Sequence, residues 1–145
     1  MKTSLALVAA LLLTGSALHA QNLPAAQVPA AAVAAFRKAY PQVKDVRWEK
    51  EKNQFEAGFT QNKIKMSVLL SATGELLETE TDMAPGLLPA PVKTKLATQY
   101  KGYKVTEAAK IVTAGTGAIT YEAEVSRGGK SRDVLFSADG QEVDQ

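Results

Sequence analysis

The chain has 145 residues, with 17 Lys+Arg against 15 Asp+Glu, one His and no Cys. That near balance argues against a nucleic-acid or anionic-membrane binder, whose cations gather in a patch. Here they are interleaved with acids, as in Arg47-Trp48-Glu49-Lys50-Glu51-Lys52, and with no Cys the fold must hold by packing alone.

The chain opens Met1-Lys2, and residues 5–13 carry no polar side chain. That run suits a secretory signal and falls short of the ~20 residues a membrane-spanning helix needs. Thr14-Gly15-Ser16 follows, and cleavage is expected near Ala20. Residues 1–20 are thus expected to be a signal peptide and 21–27 a short tail. Export to a periplasm or out of the cell follows, with no stable membrane anchor. Lys2 and His19 leave with the leader, so 17 less one leaves 16 Lys+Arg against 15 Asp+Glu. What remains has neither His nor Cys. It lacks the commonest general base, the thiolate nucleophile and the usual ligands of zinc, copper and haem. No enzymatic activity and no cofactor are expected.

An internal repeat is visible next. Val28-Pro29-Ala30 recurs sixty residues on as Leu88-Pro89-Ala90, and Tyr40 as Tyr100. Phe55-Glu56-Ala57 recurs 66 residues on as Tyr121-Glu122-Ala123, and residues 68–74 recur as 134–140 with Ser-Ala-Xaa-Gly in both. One insertion near residues 113–117 reconciles the two offsets.

In chain order, Pro29 opens a helix over 29–39 with Ala32, Phe36 and Tyr40 on one face and Pro41 as its stop. A strand is expected over 46–49. Phe55, Ala57 and Phe59 then alternate with polar residues, as do Ile64, Met66, Val68 and Leu70, the period of half-buried antiparallel strands. Asn62-Lys63 and Thr73-Gly74 mark turns, and a short last strand is expected over 75–79. The turn-rich stretch 81–87 reads as a connector. The second copy repeats the plan. It has a helix with Val92, Leu96 and Tyr100 inward, a poorly alternating segment over 105–112, strands over 119–125 and 133–136, and a short strand over 141–144. The expected fold is α+β: two tandem helix-plus-four-stranded antiparallel meander units over 28–80 and 88–145. The two units would share one continuous sheet with both helices on one face.

Val28-Pro29, Tyr40-Pro41, Asp45-Val46-Arg47-Trp48-Glu49, Phe55-Glu56-Ala57 and the Ser-Ala-Xaa-Gly hairpin together resemble the PepSY-like, β-lactamase-inhibitor-like (BLIP-like) domains of exported bacterial proteins. The resemblance spans residues 28–145. It implies a helix-plus-meander architecture and, as in the inhibitors of that group, a concave sheet face that grips an enzyme. Those inhibitors have disulfides and this chain has none, so the likeness is one of architecture.

The expected partner is therefore another exported protein, and the chain a binding module, an inhibitor or modulator. Leu69 and Leu135 alternate away from the apolar residues and are the candidate contacts on an otherwise polar face. Glu56, Glu122 and Glu124 share that face, with Arg47 and Glu49 beside them and Lys65 and Arg132 or Lys130 as cross-strand neighbours. Two readings of the carboxylates stay open: a solvated polar face, or a small-ligand or cation site in the manner of calcium. Trp48 is either a core residue beside Val46 or an exposed anchor.

Overall fold

The computed structural model describes residues 21–143; the expected leader, 1–20, and the last two residues lie outside them. Nine strands form from the alternating segments. They are β1 (Gln21–Leu23), β2 (Arg47–Glu51), β3 (Gln54–Gln61), β4 (Ile64–Ser71), β5 (Leu76–Met83), β6 (Lys104–Thr113), β7 (Ile119–Arg127), β8 (Lys130–Ser137) and β9 (Glu142–Val143). Two helices, α1 (Ala30–Ala39) and α2 (Ala90–Gln99), precede β2 and β6. Pro29 and Pro89 cap them at φ −52°, and their carbonyls accept the amides of Val33 and Lys93.

The strands make one sheet in the order β1-β2-β3-β4-β5-β6-β7-β8-β9, every neighbouring pair antiparallel. This corrects the expected fold. Two tandem helix-plus-four-stranded units do not form; the chain folds as a single nine-stranded antiparallel sheet with two helices. Two findings overturn the expectation. Gln21–Leu23, read as tail, is a strand paired with β2. And β5 does not end as a short edge at Thr79. It runs to Met83, into the supposed connector, and pairs with β6 from Glu78↔Thr113 to Met83↔Ala108. The physical reason is that a strand edge leaves a row of amides and carbonyls without partners, and the next strand satisfies them.

Strand parity then sorts the side chains. Val68 stands opposite Thr79, and Thr79 opposite Val112, which shares the side of Ala108 on β6. Val68 packs in the cluster under α1 and Ala108 in the cluster under α2, so both helices lie on one side of the sheet. Under α1, Phe36 meets Trp48 edge-on at 5.6 Å and Phe59 at 5.3 Å between ring centroids. Trp48 is thus core, at 5% exposed. Under α2, Val92, Leu96, Val125 and Phe136 are buried, and Tyr100 stands edge-on to Phe136.

The weak alternation over 105–112 has a local cause. The β6–β7 register shifts between Val105 and Glu107, so one residue is spent on a bulge and the inward phase changes. After it, Ala108 faces the helices while Ala109 and Ile111 face away.

Each helix is clamped by a turn. Gly74 (φ 84°) and Gly140 (φ 85°) approach the first helical turns so closely that an added Cβ would lie 2.6 Å from the Ala31 carbonyl oxygen and 2.7 Å from that of Pro91. Both conflicts are with backbone, so neither can relax by moving a side chain. Gly140→Ala should therefore cost more than the ~1–2 kcal/mol of a left-handed non-glycine residue alone. Phe136→Ala, at a fully buried ring, should cost about 3–5 kcal/mol. Chemical denaturation of both variants checks this; an unchanged midpoint for either would contradict the packing described.

Candidate functional site

The side of the sheet opposite the helices is covered by no element among the described residues. Parity and register place ten carboxylates there: Glu49 and Glu51 on β2, Glu56 on β3, Glu78, Glu80 and Asp82 on β5, Glu107 on β6, Glu122 and Glu124 on β7, and Asp133 on β8. The whole chain has 15 Asp+Glu, so two thirds of its acids share this face. The cations here are Arg47, Lys65 and Lys104, all exposed and near strand ends. Arg47 is spent on Glu49, 2.8 Å away.

The centre of the face is apolar. Ile111 is 8% exposed and Ala109 3%, although no helix covers them. Glu80 lies opposite Ile111, and Asp82 and Glu122 lie opposite Ala109, so the stems of these acids help cover them. Leu69 lies between Glu56 and Glu78, and Leu135 between Glu122 and Val143; both leucines are half-buried.

This floor changes the chemistry of the acids on it. Burial, then the charges of Glu56, Asp82, Asp133 and Glu78, raise the Glu80 carboxyl from 4.5 to about 7. Burial, then Glu80, Asp133, Glu56 and Asp82, raise Glu122 to about 8. Asp133 is raised by burial and by Glu124 and Glu107, its neighbours in a side-by-side row across β6, β7 and β8. Glu124 also accepts a hydrogen bond from the Thr106 hydroxyl at the bulge. Glu56 on β3, Glu80 and Asp82 on β5 and Asp133 on β8 all act on Glu122, so acids from β3 to β8 share one field.

Every sequence-derived candidate lies on this face: Arg47, Glu49, Glu56, Lys65, Leu69, Glu122, Glu124 and Leu135. Their neighbours differ from expectation. Arg132 does not stand beside the glutamates. It lies on the helix side, 5.2 Å from the Tyr100 ring centroid, and donates to the Tyr100 hydroxyl; Lys130 shares that side, opposite Arg127. The carboxylates also do not close on one point. Glu56 belongs to β3 and Glu122 and Glu124 to β7, and no group of three or more His, Cys, Asp or Glu in metal-holding arrangement occurs among the described residues. Sequence reasoning missed Glu51, Glu78, Glu80, Asp82, Glu107 and Asp133. The alternation Glu78-Thr79-Glu80-Thr81-Asp82 carried the signal, but it was cut by ending the strand at Thr79.

Arg47, Glu56, Lys65, Ser67, Glu80 and Asp82 help line an open depression of about 400 Å³ on this face. A larger groove, about 1050 Å³, lies at the sheet end along residues 42–47 and 58–62, away from the central carboxyls. No helix among the described residues is long and apolar enough to cross a membrane.

No protein-family model and no curated protein matches the chain. Solved structures do. A DUF2874 family protein from Bacteroides uniformis ATCC 8492 superposes with TM-score 0.69 at 22% identity, over 80% of this chain and 86% of that one. A protein from Bacteroides eggerthii DSM 20697, provisionally described as periplasmic, gives TM-score 0.71 at 19% identity over 81% and 86%. A BLIP-like protein from Bacteroides fragilis NCTC 9343 gives 0.60 at 23% identity over 79% and 82%. The fold is BLIP-like. At these identities the likeness concerns fold alone.

The raised carboxyls link stability to pH. Both bind protons more tightly folded than unfolded, so their contribution is fully present below about pH 4.5. It is lost as pH rises through about 7 for Glu80 and about 8 for Glu122. The melting temperature should fall by several degrees between pH 5 and pH 9, and Glu80→Gln with Glu122→Gln should flatten that fall. Equal slopes in wild type and variant would contradict the assignment.

Proposed function

We propose that the chain is an exported, non-enzymatic binding module that docks another exported protein through the helix-free face of its sheet, as an inhibitor or modulator. The observation that carries this reading is the helix-free face itself. Half-buried Leu69 and Leu135 stand there among ten carboxylates, on a side of the sheet that no element among the described residues covers. Partly exposed apolar side chains ringed by polar groups are what protein interfaces offer as anchors.

The resemblance to PepSY-like and β-lactamase-inhibitor-like domains leans the same way, as does the fold shared with the BLIP-like protein of B. fragilis. A cleaved leader over residues 1–20 belongs to this proposal. Its support is the apolar run 5–13 and the small-residue stretch Thr14-Gly15-Ser16 that follows it. A hydrolase reading has little to draw on. The raised carboxyls of Glu80 and Glu122 could move protons, but beyond the leader no histidine or thiol stands beside them.

The test is an affinity capture. The full chain, tagged at its C-terminus and expressed in an exporting host, is mixed with an envelope extract of the source organism. The control carries Leu69→Asp and Leu135→Asp. A partner held by the wild type and lost by an equally stable variant is the expected result. Equal capture by both forms, or none by a folded bait, would overturn the proposal.

A further inference from the structure

We infer that the helix-free face docks a polypeptide presenting lysine or arginine side chains around an apolar anchor. The inference rests on the docking reading above and adds the chemistry of the partner.

Charge segregation is the argument. The chain has two more cations than acids, yet this face has ten carboxylates against Arg47, Lys65 and Lys104. Most of the cations are therefore elsewhere, with Lys50, Lys110 and Arg132 on the helix side of the same strands. On β6, β7 and β8, Glu107, Glu124 and Asp133 stand side by side. Like charges directly opposite one another destabilise a sheet. Among the described residues no ion pair relieves that row; the one found, Arg47–Glu49, lies on β2. A partner's cations would offset this repulsion, and the field of the face would orient their approach.

The same field repels nucleic acid and anionic lipid. A lone divalent cation finds no three-ligand group among the described residues and would leave the half-buried Leu69 and Leu135 open to solvent. A cationic polypeptide with an apolar anchor satisfies both the acids and these two leucines.

The probe is a short fluorescent peptide of lysines flanking a Leu-Leu pair, compared with its glutamate counterpart, by anisotropy against the exported protein. The lysine peptide should bind and weaken about tenfold or more between about 20 and 300 mM NaCl, as screening requires. The glutamate peptide should not bind. The combined variant Glu78→Gln, Asp82→Asn, Glu107→Gln, Asp133→Asn should lose about tenfold in affinity at low salt, while Lys93→Gln with Lys95→Gln on α2 should bind as wild type. Should the combined variant not melt cooperatively, Glu107→Gln and Asp133→Asn are read singly.

Failure of the lysine peptide to bind, equal binding of both peptides, or indifference to neutralisation would overturn the inference. So would sedimentation showing that copies stack at low salt and that the peptide cannot compete, since the occupant would then be a second copy. Envelope capture that needs Leu69 and Leu135 but ignores the carboxylates would leave the docking proposal standing and remove the cationic partner.

Discussion

The pairing of β5 with β6 is the contact on which the rest depends. Six residue pairs, Glu78↔Thr113 to Met83↔Ala108, join two stretches of sheet that each lie under one helix. Their register keeps parity across the join. One residue of slip would turn every side chain beyond it to the other face. The cluster under α2 would then face away from its helix, and Glu122 and Glu124 would point at the core. With parity kept, the aromatic and aliphatic residues gather on one side and the acids on the other.

That sorting explains a feature which reads as its opposite along the chain. Arg47-Trp48-Glu49-Lys50-Glu51 looks like mixed charge. In a strand, Arg47, Glu49 and Glu51 go to one face and Trp48 and Lys50 to the other. Repeated on β5, β6 and β7, the rule turns interleaving into segregation. The cost shows in the raised carboxyls of Glu80, Glu122 and Asp133, which are held over an apolar floor among like charges. A fold with no need of this face could relieve the repulsion with a few central lysines, and here Lys50 and Lys110 point the other way while Lys65 and Lys104 sit near strand ends.

Much of this was legible beforehand. The inward phase of Phe55, Ala57 and Phe59, the helices after Pro29 and Pro89, and the helix-free position of Glu56, Leu69, Glu122 and Leu135 follow from periods of two and 3.6 alone. The glycines of the Ser-Ala-Xaa-Gly hairpins were readable as turns. Their second role, clearing the carbonyls of Ala31 and Pro91, depends on tertiary approach and was not. Two further things were hidden for physical reasons. The bulge after Val105 breaks the alternation by which a strand is recognised, so β6 was only loosely drawn. The length of β5 was set by its partner: Thr81 and Asp82 are strand because Lys110 and Ala109 pair with them. Cutting that strand short removed Glu80 and Asp82 from view, and with them the centre of the face.

The central claim is that carboxylates from β3 to β8 share one field over Ala109 and Ile111. A carboxyl carbon NMR titration tests it most directly, with each glutamate assigned by substitution. The account predicts midpoints of about 7 for Glu80 and about 8 for Glu122, both moving down in Glu56→Gln. Midpoints at the ordinary 4.5, unmoved by Glu56→Gln, would mean separate, solvated acids on an open sheet and would contradict it.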